Sequence, residues 1–185
     1  MNNALYLLTF VAALSGLVAG IFFAFSNFVM KALARVSPGQ GIAAMQSINV
    51  VVLNRWFFAV FLGTAGCCLV LAVSSLIRWQ KPGAGYLLVG SLLYLIGTIL
   101  VTIAGNVPLN DALAAVNPSS AEAGPVWTNY LKNWTAWNHV RTIAALAAAA
   151  SFTVALCRAS PSVDRIRSET LSPKGSATLP HKPED

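Results

Sequence analysis

The sequence predicts an all-α membrane protein: four transmembrane helices in a bundle, with an additional interfacial helical segment between helices 1 and 2. Two observations carry this. Hydrophobic residues make up 56% of the 185 residues and charged residues only 10%, against about a quarter charged in a soluble domain. The apolar residues are also gathered into four long runs, at 4–30, 56–77, 85–104 and 140–157. A bilayer core about 30 Å thick takes roughly 20 apolar residues of helix, and the first three runs reach that length without a charge. A soluble core of this size has no room for four such segments.

Helix 1 is expected at about 4–30. Its opening, MNNALYLLTF, lacks the basic leader of a signal peptide, and the apolar run is too long for one, so it reads as a retained first span. Ala12, Gly16 and Gly20 form a small-xxx-small row that admits a neighbouring backbone. Such a row suits packing within the chain or between copies, which leaves a homo-oligomer open. Ser37-Pro38 is a helix start, with Ser as N-cap and Pro at the first position. The following GIAAMQSINVVVLN reads as an apolar helix at the interface, carrying Gln46, Asn49 and Asn54.

Helix 2 is expected at about 56–77 and helix 3 at about 85–104, joined by RWQKPGA with its turn pair Pro82-Gly83. Helix 3 runs out at Gly105-Asn106. There Asn106 reads as a C-cap, and Asn110 or Asp111 as an N-cap for a short segment through Val116. Alternatively, Asn106 and Asn110 aim their amides at a ligand from a turn stiffened by Pro108. Pro125 starts the fourth helix, whose membrane part is expected at about 134–157. Residues 1–157 then form the four-helix domain, and 158–185, rich in Ser, Pro, Thr and charge, a disordered polar tail.

Several function classes drop out. The net charge of +6 is spread over loop ends and the tail, where juxtamembrane cations normally sit, and does not indicate nucleic acid. Cys67, Cys68 and Cys157 lie in apolar runs and read as small buried residues. With only His139 and His181 in the chain, no metal site is expected. An ion channel or transporter would want charges within the first three helices. Lys and Arg divide evenly between the two membrane faces, so the positive-inside rule barely orients the chain. Termini in the cytoplasm of a bacterial inner membrane is the expectation.

The chemistry-bearing residues gather on the fourth helix. At about 100° per residue, Trp127, Tyr130, Trp134, Trp137, Asn138 and Arg141 fall within one arc of roughly 100°. His139 projects well away from it, nearer Thr135 and Thr142. An interfacial aromatic belt explains Trp and Tyr here, but does not explain why Asn138 and Arg141 continue the face inward. The remaining apolar stretch, 142–157, spans about 24 Å and is short for a bilayer core. Arg141 therefore sits at or just inside the hydrocarbon boundary. Snorkelling is the simple account; an inward-facing arginine is otherwise a site by default. An aromatic wall, several amides, an arginine and a histidine suit a flat, lipophilic, oxygen-bearing ligand.

At these residues the chain resembles a known family. FSNFVMKAL after helix 1, AMQSINVVVLN in the first connection, GNVPLND, and W-x(6)-WTAWNHVRT are similar to the anthrone oxygenase-like integral membrane proteins, over roughly residues 10–150. The resemblance implies a four-helix membrane fold. It also implies an oxygenase or oxidoreductase that oxidises a lipophilic anthrone, phenol or quinone-like substrate with O2 and no cofactor. The partners implied are the lipid bilayer, a lipophilic aromatic small molecule and O2, with no nucleic acid. An anthrone has an acidic CH2 opposite a carbonyl, and its anion can reduce oxygen directly. His139 is the expected base, histidine being the side chain that ordinarily titrates near neutrality, with Asp111 as the fallback. Arg141, Asn138 and Asn106 would stabilise the oxyanion. Trp134 and Trp137 would stack on the rings, and Trp127, Tyr130, Asn110, Gln46, Asn49 and Asn54 would complete the binding set. The alternative is a non-catalytic membrane protein that binds a lipophilic ligand or supports a partner complex.

Overall fold

A computed structural model describes residues 3–159. The tail expected at 158–185 lies almost wholly outside the described residues. Those described form five helices. Helix α1 runs Asn3–Ala24, widens to π-helix over Phe25–Val29 and closes as Met30–Leu33. Helix α2 is Pro38–Val51 and α3 is Arg55–Ile77. Helix α4 starts as Ala84–Tyr94, passes through two π-helical stretches, Leu95–Leu100 and Thr102–Asn106, and ends as Val107–Ala114. Helix α5 is Ala123–Ala159. Four of these (α1, α3, α4 and α5) are long and apolar enough to cross a membrane. The protein is a multi-pass integral membrane protein, all-helical as expected.

Helix α5 is the axis of the bundle, packed along α1 on one side and α4 on the other, with α3 leaning mainly on α4. Small residues permit this. A Cβ at Gly90 would stand 2.8 Å from the Phe152 ring, so α4 and α5 approach only because none is there. Gly83, at φ 86°, takes the left-handed conformation that starts α4. By contrast, Gly16 and Gly20 of the expected packing row, with Gly63 and Gly66, face open space within the chain.

The core divides in two. One cluster, deep in the bundle, holds Val11, Val18, Phe61, Tyr94, Ala145, Ala148 and Phe152. The other, at the end covered by α2, holds Met30, Ile42, Met45, Leu113, Trp127, Tyr130 and Trp134. Helix α2 begins at Ser37-Pro38 as the sequence indicates, and Gln40 Oε1 accepts from both the Ser37 N–H and its hydroxyl. It caps the bundle end, burying Gly41, Ile42 and Met45.

Two helix limits differ from expectation. The third span does not stop at residue 104, and Asn106 is no C-cap: the helix continues to Ala114. Pro108 has no N–H for the usual i−4 carbonyl. The preceding turn has already changed register, with Val107 N–H donating to Thr102 O five residues back, so the chain continues without that bond. The fourth helix begins at Ala123, two residues before the expected start at Pro125. Its 37 residues extend about 55 Å, far beyond a ~30 Å core, so its first turns rise out of the bilayer to carry the covered end.

Candidate functional site

The covered end encloses a cavity of about 490 Å³ between α1, α2, α4 and α5. Its walls are largely apolar, with Ile21, Phe22, Phe25, Met45, Ile48 and Phe57 among them. Polar groups enter at a few points: Gln46 and Asn49 from α2, Thr102, Asn110 and Asp111 from α4, and Arg141 from α5. Trp134 contributes an aromatic face. Val50 and Leu53 of its lining are well exposed and form an apolar rim.

Arg141 is the central feature. It is 5% exposed, and its Nη2 donates to Asn138 Oδ1 at 2.7 Å while Nη1 donates to Thr102 Oγ1 at 3.3 Å. The guanidinium carbon lies 4.2 Å from the Phe22 ring centroid and 5.2 Å from that of Trp134, so two aromatic faces hold the cation. Its Nε has no partner. Both hydrogen-bond partners are neutral. Asp111 and Glu122 are the only carboxylates in the described stretch 3–159, and Asp111 faces the same cavity. A buried cation without a bonded carboxylate is costly, and it favours any anion that enters.

Asn138 fixes this arginine. Its Nδ2 donates to the Phe22 carbonyl at 2.7 Å and to Ser26 Oγ at 2.6 Å, tying α5 to α1, while its Oδ1 receives Arg141. It stands behind the guanidinium and does not line the cavity. Asn106 is buried and donates to Trp134 O at 3.2 Å; it too sits behind the wall. The widened turns matter here. Ser26 lies in the π-helical stretch of α1, and Thr102 and Asn106 bound that of α4. Each of the three bonds the 134–141 segment of α5.

The aromatic face forms a continuous stack. Trp127 and Tyr130 lie 5.7 Å apart at 13°, and Tyr130 and Trp134 6.1 Å apart at 24°. Tyr130 donates to Asn110 Oδ1 at 2.8 Å, and Asn49 Nδ2 reaches the same hydroxyl at 3.5 Å. Gln46 Nε2 donates to the Leu113 and Val116 carbonyls, which satisfies the C-terminal end of α4. These bonds hold α2 over the cavity.

The structure thus brings together Arg141, Trp134, Asn110, Gln46 and Asn49 at the cavity, with Asn138, Asn106, Trp127 and Tyr130 supporting it. Three expected members are elsewhere. His139 is exposed and faces a separate groove beside Lys31 and Lys132, on the other side of α5. Trp137 is 44% exposed and packs against Gly105, because it occupies the edge of the helical arc. Asn54 is the N-cap of α3, accepting from the Trp56 and Phe57 N–H groups. Nothing in the sequence marks Phe22, and Ser26 stands out only as part of FSNFVMKAL. A hydroxyl within an apolar run is the sole signal at Thr102, and Ser15, Thr64 and Thr98 share it without joining the site.

The family model described as anthrone oxygenase matches residues 53–151, more than half of the chain. The match covers α3, α4 and most of α5, and so includes Thr102, Asn106, Asp111, Trp134, Asn138 and Arg141, but not α1 or α2. No curated protein and no solved structure matches the chain. The chain belongs to the anthrone oxygenase family.

Proposed function

We propose that this member of the anthrone oxygenase family oxidises a flat, lipophilic anthrone, phenol or quinone-like substrate with O2 in the cavity beside Arg141. Family membership supports a membrane oxygenase-like function. One observation carries it: a buried guanidinium with neutral partners, flanked by Phe22 and Trp134, at the wall of an otherwise apolar cavity. That arrangement binds a ring system and favours negative charge developing on its oxygen.

For an anthrone, the chemistry follows from its acidic CH2. Asp111 replaces His139 as the base, because Asp111 faces the cavity and His139 does not. As Asp111 takes the first C–H proton, charge moves to the carbonyl oxygen opposite, which Arg141 stabilises. The anion gives one electron to O2, and the carbon radical and superoxide combine to form a C–O bond. Loss of the second C–H proton with O–O cleavage leaves a new C=O and releases water. Anthrone plus O2 becomes anthraquinone plus H2O, with no further reductant. Asn138 and Asn106 act by holding Arg141 and Trp134 in place, and Gln46 and Asn49 by keeping α2 closed over the ring.

The test is oxygen uptake by purified protein in detergent supplied with a simple anthrone, compared with Arg141→Gln and Asp111→Asn. Uptake matched to anthraquinone formation and lost in both folded variants supports the reading. Rates equal to spontaneous autoxidation in all three overturn it and leave a binder of lipophilic ligands.

A further inference from the structure

A second face of α5 carries a different set of groups. Between α1 and α5, on the side away from the cavity, lies a groove of about 390 Å³ whose lining includes Lys31, Lys132, Thr135, His139 and Ser26. Lys31, Lys132 and His139 are exposed. Neither Asp111 nor Glu122, the carboxylates of the described stretch, lines it, so among the described residues no carboxylate faces its lysines there.

The groove has a definite depth. Asn138 bonds Ser26, which sets Ser26 level with the turn that bears Arg141 at the hydrocarbon boundary. Counting 1.5 Å per residue from Arg141, His139 stands about 3 Å and Lys132 about 13 Å towards the outside. The headgroup layer is about 5–7 Å deep, so His139 stands within it and the Lys132 backbone about 6 Å beyond it, from where its long side chain reaches back. The face also continues downward. At about 100° per residue, Lys132, Thr135, His139, Ile143 and Leu146 share an arc of roughly 80°, and Ile143 and Leu146 are 68% and 60% exposed. Phe23, 56% exposed, lies below Ser26 on α1. Cations and a hydroxyl stand above a bare apolar strip. This is the profile of one molecule with an anionic head and an acyl tail.

We infer that the groove formed by Lys31, Lys132, Thr135 and His139 is a binding site for the phosphate headgroup of an acidic membrane lipid, whose chain lies along Ile143 and Leu146. A juxtamembrane Lys contributes about 1 kcal/mol of attraction to anionic lipid, or about fivefold in affinity. The site is independent of the reaction proposed above, and its test does not use turnover.

The experiment is a native mass spectrometry titration of the detergent-purified protein with phosphatidylglycerol. Phosphatidylcholine, inorganic phosphate and the Lys31→Gln/Lys132→Gln double variant form the other arms. One phosphatidylglycerol retained with about 25-fold lower affinity in the double variant, weaker retention of phosphatidylcholine, and no displacement by inorganic phosphate is the expected result. Arg55→Gln, which removes an exposed cation outside the groove, leaves that affinity unchanged. Equal affinity in wild type and double variant, or equal retention of the two lipids, overturns the site. Displacement by inorganic phosphate overturns the lipid assignment in favour of a soluble anion.

Discussion

The two halves of the bundle are held by different means. In the deep half, polar side chains largely stay within their own helix. Ser75 Oγ donates to Ala72 O, Ser151 Oγ to Ala147 O and Thr153 Oγ1 to Ala149 O. Contact between helices there is made by shape, with Phe152 against Gly90, and among the described residues only the Tyr94 hydroxyl, bonded to Phe61 O, crosses. In the covered half the polar groups cross between helices: Asn138 to α1, Arg141 and Asn106 between α4 and α5, Gln46 from α2 to α4. Shape packing tolerates polar loss but not added volume; the crossing network does not tolerate polar loss. Membrane embedding explains the first half, where dispersion packing between close backbones dominates, and the site explains the second.

The largest effect that would sharpen this contrast is on turnover. Arg141→Gln is expected to lower oxygen consumption per folded molecule by about 10²–10³-fold, the usual result of removing an oxyanion donor. Next comes stability in the covered half. Asn138→Leu strands Arg141 Nη2 and the Ser26 hydroxyl, and should cost about 2–4 kcal/mol, read as a lowered unfolding midpoint in detergent. Ser75→Ala, which removes a bond within one helix, should cost well under about 1 kcal/mol. Equal losses from the two would break the distinction.

Volume tests the deep half. Gly90→Val drives methyl groups into the Phe152 ring and is expected to destabilise by about 1–3 kcal/mol, while activity per folded molecule persists. Gly16→Ala, facing open space, should stay within about 0.5 kcal/mol. The smallest effect concerns the exposed side of α5: His139→Gln should leave anthrone-dependent oxygen uptake unchanged. Loss of uptake in that variant would restore His139 as the base.

How much of this was legible beforehand depends on what each feature rests upon. The spans were plain because length and hydropathy alone define them. The arc arithmetic on α5 also succeeded: Trp127, Tyr130, Trp134, Asn138 and Arg141 are all buried, and only Trp137, at the rim of the arc, falls outside. His139 was favoured for its chemistry against its angle, and the angle was right. The run of α4 through Pro108 was not legible, because Pro after Gly-Asn reads as a stop and the widened turn that accommodates it leaves no mark in composition. Asn54 was misread for a similar reason, since an amide before an apolar helix serves as well for a cap as for a ligand. Thr102 and Ser26 became visible only through the partners that fold around them.

The widened turns carry one more consequence. A π-helical turn holds one residue more than the α-helical turn it replaces. Closing Thr102–Asn106 as ordinary α-helix with every residue kept would therefore swing everything beyond it by about 100°, carrying Asn110 away from the Tyr130 hydroxyl and turning Asp111 off the cavity. Removing one residue at the same time would restore the phase, so along this helix the widened turn and the count of residues specify the site together.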